Sequence, residues 1–125
     1  MTSDATHTSL KSLQAAIRQF CKDRDWDQFH GAKDLAIAII TEAGELLEHF
    51  RFQSSEQVEA LFAETQARTE VESEVADVLI FLLRLADRYE IDLAAAVQRK
   101  LAENAERYPV EESRGRNKKT ARSLR

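Results

Sequence analysis

Turn-forming residues are nearly missing from this chain, which has three glycines and one proline among 125 residues. Ordinary usage of ~7% Gly and ~5% Pro would supply about nine and six. An all-β fold, with a tight turn every 8–12 residues, is hard to build from that supply. Helices joined by short connections need far fewer such residues, so the chain reads as all-α. Its length is one domain's worth, enough for a core that buries roughly two-thirds of the unfolded surface.

Apolar residues at 43% and charged residues at 32% exclude a disordered chain and a membrane protein. The longest apolar runs, Leu35 to Ile40 and Val78 to Leu83, fall far short of the ~20 residues that span a bilayer. The opening MTSDATHTS has neither a basic start nor an apolar stretch, so a cytoplasmic location is expected. Cys21 is the single cysteine, which rules out an internal disulfide and reads as a small buried hydrophobe.

Charge is unevenly placed. Residues 110–125 hold six basic and two acidic side chains, so the body before them carries −8 against −4 for the whole chain. An acidic body is a poor match for phosphate backbones and a good host for cations, so no nucleic-acid partner is expected. The expected organisation is a flexible arm over 1–8, one helical domain over 9–109 and a basic, disordered tail over 110–125.

Four long segments carry helical periodicity. The first runs from Thr8 to about Arg24, with Leu10, Leu13, Ile17 and Phe20 on one face. The connection DWDQFHGA leads to a second, from Ala32 or Lys33 to Phe50. Ser54-x-x-Gln57 can form a capping box for a short helix over Ser55–Glu64. The next helix starts between Thr65 and Thr69, with Thr69-x-x-Glu72 as a possible box, and ends near Tyr89. Asp92 caps the last one, which Pro109 stops after Tyr108. The expected architecture is a bundle of four main helices, with one short extra helix.

Polar residues sit where such a bundle wants apolar ones. Around the helix preceding Tyr89, Val71, Val78, Leu82, Leu85 and Tyr89 form a stripe; Glu74 lies at its edge, Asp77 beside it, and Phe81 nearly on Glu74's line. In the second helix Leu35, Ile39, Leu46 and Phe50 form the stripe, with Glu42 at its margin and Glu45 adjoining. Gly44 lies between those acids, and a mid-helix glycine costs ~1 kcal/mol relative to alanine, so a close approach to the backbone is expected there. In the last helix Lys100 and Asn104 flank Leu93, beside the stripe of Leu93, Val97, Leu101 and Tyr108.

A desolvated carboxylate needs a proton or a cation. Acidic pairs three residues apart on two facing helices make an all-oxygen cage suited to Mg²⁺, with Mn²⁺ as a substitute. Magnesium readily completes its shell with phosphate oxygens, which points to a phosphorylated substrate. A single E-x-x-E is commonly a solvated face; two pairs bordering the two most apolar helices are what favour a metal site. A di-iron bundle would require Glu-x-x-His on two helices, and Glu48 and Asp77 occupy the +3 positions instead. His49 projects between Glu42 and Glu45 but is expected at the surface. Trp26, Phe29 and His30 either plug an end of the bundle or form a wall on which a nucleobase stacks, with Phe52 as the opposite wall.

RDWDQFH (24–30), DLAIAIITEAGELLEHF (34–50), ESEVADVLIFLLRLADRYEIDL (72–93) and KLAENAERYP (100–109) resemble the all-α nucleoside triphosphate pyrophosphohydrolases, specifically the MazG-like family and its dCTP pyrophosphatase-like branch. The likeness covers about 9–110 and combines E-x-x-E, 28 intervening residues, E-x-x-D, the aromatic element before and K-x-x-x-N-x-x-x-Y-P after. It implies that Glu42, Glu45, Glu74 and Asp77 bind Mg²⁺ and carry catalysis; a carboxylate not fully consumed by the metal, expected to be Glu45, could orient or deprotonate the attacking water. Trp26 and His30, with Phe52 and Phe81 as further walls, would line the base pocket. Lys100, Asn104 and Tyr108 would contact phosphates or sugar. That branch usually has Trp at the position of Phe52 and Tyr at that of Phe81. The implied activity is hydrolysis of a (deoxy)nucleoside triphosphate to monophosphate and pyrophosphate, by a homodimer or homotetramer in which dimerisation completes the bundle. The competing reading is a non-catalytic helical interaction or oligomerisation module.

Overall fold

The computed structural model describes residues 8–117; residues 1–7 of the expected arm and 118–125 of the expected tail lie outside them. The all-α class holds. The elements are α1 (Leu10–Asp23), a 3₁₀ turn (Asp27–Phe29), α2 (Ala32–Glu48), α3 (Ser55–Leu61), α4 (Thr65–Arg88), α5 (Leu93–Arg107) and α6 (Val110–Ser113), with no strand among the described residues. None of these helices is long and apolar enough to cross a membrane. The chain divides into two compact units, one ending at Glu90 and one beginning at Ile91.

Helix starts follow local chemistry. The Ser9 side chain accepts the Ser12 N–H, and Ser54 and Gln57 form the reciprocal box expected of them. The Thr69–Glu72 box does not form. Glu64 caps α4 instead, its carboxylate accepting from the Gln66 and Ala67 N–H groups, while the Thr69 hydroxyl donates to the Thr65 carbonyl one turn back. A carboxylate offers two acceptors to the unpaired N–H groups and suits the positive end of the helix dipole.

In the first unit α2 and α1 both pack on α4. Cys21, Leu35, Val71, Leu83 and Ala86 form the buried apolar core. Polar ties join α1 to α4: the Gln14 amide donates to the Leu83 carbonyl at 3.2 Å, and Arg18 grips both Asp87 oxygens at 2.9 and 2.5 Å. This doubly hydrogen-bonded pairing with Arg18 pulls the Asp87 carboxyl below its usual range.

The expected α4 stripe is misplaced. Leu82 and Tyr89 are exposed, whereas Leu83, Arg84 and Ala86 are buried and Glu74, Asp77, Val78, Phe81 and Leu85 half-buried. The inward face of its first half is therefore rotated by roughly 60° toward the acids. From Leu83 to Asp87 every side of α4 is at least partly covered, because α1 and the connection before α2 close over it.

On α2 the inward residues are Leu35, Ala38, Ile39, Glu42, Leu46 and His49, so Glu42 occupies the middle of the packed face. Gly44 lies on the opposite side, and a Cβ there would meet nothing within 4 Å. The expected close approach is thus absent among the described residues, and Ile37, Ile40 and Leu47 on the outward face of α2 are exposed.

In the second unit the Asp92 side chain accepts the Ala95 N–H and starts α5 as expected. Its anticipated apolar stripe is not buried: Val97 and Leu101 are exposed. Pro109 is the N-cap of α6, a single turn within the segment read as tail.

Candidate functional site

Helices α2 and α4 bring the acidic pairs together. One carboxylate oxygen from each of Glu42, Glu45 and Glu74 lies within 4.8 Å of the others. Glu42 and Glu74 are half-buried, Glu45 is exposed, and Asp77 follows Glu74 by one turn on the same face. Glu42 and Glu74 each bury an oxygen, Oε2, that no donor reaches. Buried acceptors without a donor cost free energy and are the atoms a cation would satisfy.

The surroundings of Glu42 favour its protonated form. Its carboxyl is pushed up to about 7 by a hydrogen bond with Glu45, by burial, and by the charges of Glu45, Asp77 and Glu74. The donor set, all carboxylate and three-sided from two helices, fits a hard divalent ion.

His49 belongs to this cluster. Its Nε2 lies 3.6 Å from Glu74 Oε1 and it is half-buried, which corrects the surface position expected for it. The signal was available, because His49 follows Glu42 by seven residues and so falls nearly on its line along α2.

Beside the acids lies a cavity of about 490 Å³, walled by Phe20, Trp26, His30, Phe81 and Arg84, with Asp77 among its lining residues. Asp77 thus borders both the cavity and the acidic cluster. Trp26 meets Phe20 edge-on at 5.7 Å and His30 at 6.4 Å between ring centroids. The aromatic connection therefore forms a wall and not just a plug, although Phe29 remains exposed. Phe52 is not among the lining residues; it is 91% exposed, with the Arg51 guanidinium 4.3 Å over its ring and a left-handed φ of +66°.

Arg84 escaped the sequence reading. It is 2% exposed, donates from Nε to His30 Nδ1 at 3.0 Å and pairs with Asp27 through Nη2. An arginine inside the run LIFLLRLADR was the available signal, since a charge at that depth requires partners.

Lys100, Asn104 and Tyr108 lie on or at the end of α5. Lys100 is exposed and pairs with Glu103 at 3.5 Å, and Asn104 is half-buried with its carbonyl accepting the Tyr108 N–H at 2.8 Å.

The MazG-like family model matches residues 37–121. Among curated proteins the chain is similar to dCTP pyrophosphatase 1 of Rattus norvegicus, 37% identical over 107 residues that make up 86% of this chain and 63% of the relative. The same protein of Homo sapiens is 33% identical over 111 residues, covering 89% and 65%. The chain therefore spans somewhat under two-thirds of the length of these relatives. A crystal structure of a pyrophosphatase from Archaeoglobus fulgidus superposes with a TM-score of 0.76 at 39% identity, over 82% of this chain and 94% of that one.

Proposed function

Because the chain belongs to the MazG-like family, we propose that it is a Mg²⁺-dependent pyrophosphohydrolase. It would cleave a (deoxy)nucleoside triphosphate to the monophosphate and pyrophosphate, as cytoplasmic housekeeping of the nucleotide pool. The observation that carries this is the cluster of Glu42, Glu45 and Glu74, with two orphaned buried oxygens, joined through Asp77 to an aromatic cavity. The relatives named dCTP pyrophosphatase direct the substrate toward dCTP or a modified pyrimidine deoxynucleotide.

On this reading Glu42, Glu45, Glu74 and Asp77 hold Mg²⁺, with Mn²⁺ as a substitute. Bound there, the ion supplies charge neutralisation at the phosphates and a more acidic water. Glu45, the most open of the acids, orients the attacking water and takes its proton. Trp26 and Phe81 offer ring faces for stacking, a contact worth ~1–3 kcal/mol per base. His30 offers a polar edge. Lys100, with its point charge, Asn104 and Tyr108, all in the second unit, are the residues that this reading assigns to phosphate or sugar. The test is incubation of dCTP, dUTP and ATP with Mg²⁺. Monophosphate and pyrophosphate are the expected first products; orthophosphate first, or no turnover, overturns the reading.

A second copy of the chain is the expected partner, as a homodimer or homotetramer. Ile37, Ile40, Gly44 and Leu47 form an exposed line along α2, with Ile40 73% exposed, and Val75, Leu79 and Leu82 form another along α4. Spacings of three and four residues are those of a helix-packing seam. In this assembly Gly44 receives the close approach not found among the described residues of one chain. Gly44→Ala is expected to weaken self-association about tenfold, because one methyl group would intrude on a packed seam. Sedimentation equilibrium of both forms reads this directly, and unchanged association removes α2 from the interface.

A further inference from the structure

We propose that Arg84 is the positioning residue of the aromatic cavity: it fixes the His30 ring with its proton on Nε2, so that the wall beside Trp26 presents a stationary N–H donor to an acceptor atom of the bound ring. The ligand class follows from the donor. A heteroaromatic base whose edge carries a carbonyl oxygen or a bare ring nitrogen would be held, and one presenting only amino hydrogens would be rejected.

The geometry allows one tautomer. A guanidinium has donors and no acceptor, so an Arg84 Nε bonded to His30 Nδ1 at 3.0 Å requires Nδ1 to be bare. The neutral ring then carries its hydrogen on Nε2, which engages no other side chain among the described residues. Arg84 is itself anchored. Its Nη2 pairs with Asp27, its Nη1 lies 3.9 Å from Asp87 Oδ2, and Asp87 is gripped by Arg18. The backbone at His30 is held from the same helix, since its carbonyl accepts from Arg88 Nε at 3.3 Å. Ring and backbone of one residue are thus fixed by two arginines one turn apart on α4.

The charges around His30 agree. Burial and the cations Arg84 and Arg88 lower its affinity for a proton, and the carboxylates Asp27 and Asp34 raise it less, leaving the ring below its ordinary range. A neutral, half-buried imidazole beside an arginine is the state the hydrogen bond requires.

The nucleotide reading enters this assignment only in naming the ligand, and the test separates the two. Long-range ¹⁵N–¹H spectra of the ligand-free protein should show His30 as the Nε2–H tautomer, still neutral at a pH where a free imidazole has begun to take up its proton. In Arg84→Met, Nδ1 should acquire a proton as the ring turns to the unpaired Asp27, and Arg84→Lys should restore the wild-type pattern in part. In turnover of the nucleotide, Arg84→Met should raise KM about tenfold with kcat within about twofold. A wild-type ring protonated on Nδ1, or an Arg84→Met protein with unchanged spectrum and KM, overturns the assignment. A wild-type protein with the expected tautomer but no turnover of any nucleotide supports Arg84's role and overturns the nucleotide reading instead.

Discussion

Glu74→Gln is expected to lower nucleotide hydrolysis at least about 100-fold and, in metal-free buffer, to make the protein more stable. The two effects have one cause. Glu74 buries an oxygen that no donor reaches and lies in a cluster with Glu42 and Glu45. Two like charges ~4 Å apart repel by up to ~4 kcal/mol at an effective dielectric of 20, before screening by water and salt. The neutral amide removes that repulsion and keeps the volume, so a gain of about 1 kcal/mol remains after screening and after loss of the His49 contact. The same change deletes a ligand from a site whose electrostatics would carry the reaction, where single losses cost ~10²–10³ in rate. Chemical denaturation in chelator and steady-state assay in Mg²⁺ measure the two halves. A destabilised metal-free Glu74→Gln would show that Glu74 is held by favourable contacts, not strained by its neighbours.

How legible this was in sequence depends on which force sets each feature. Caps are local, so Ser54 with Gln57 and Asp92 could be read directly. Glu64 was missed because a carboxylate cap has no distinctive spacing, whereas Thr69–Glu72 has the right spacing and is simply the interior of α4. The acids were visible as charges beside apolar stripes. Their depth was not, because the stripe was drawn through Leu82 and Tyr89 on the assumption that apolar residues face inward. Leu82 is instead exposed, and Glu74 and Asp77 occupy the packed face. Half-buried acids and a buried arginine on the packed face invert the usual pattern, and a hydrophobic stripe cannot locate them. Arg84 illustrates the same point, since its partners Asp27 and His30 are more than 50 residues away in the chain and no periodicity links them.

Magnesium should stabilise the protein strongly above neutral pH and barely in mild acid. A ligand at a hundredfold excess over its Kd adds ~2.7 kcal/mol, on the order of 10 °C in melting temperature for a domain of this size. That gain needs ionised carboxylates, and the Glu42 carboxyl is raised from 4.5 to about 7 in the folded, metal-free protein. The sign follows from proton counting. Between those two values the folded chain binds more protons at Glu42 than the unfolded chain does, so metal-free stability falls as pH rises through the window. The same ionisation that weakens the empty fold creates the site. Melting curves at about pH 8 should therefore separate Mg²⁺ from chelator widely, and curves at about pH 5.5 should nearly coincide. Glu42→Gln should flatten the metal-free slope and abolish the Mg²⁺ gain together, because one carboxylate carries both. A magnesium effect of equal size at both pH values would place the ion away from Glu42, and with it the chemistry assigned to this pair of helices.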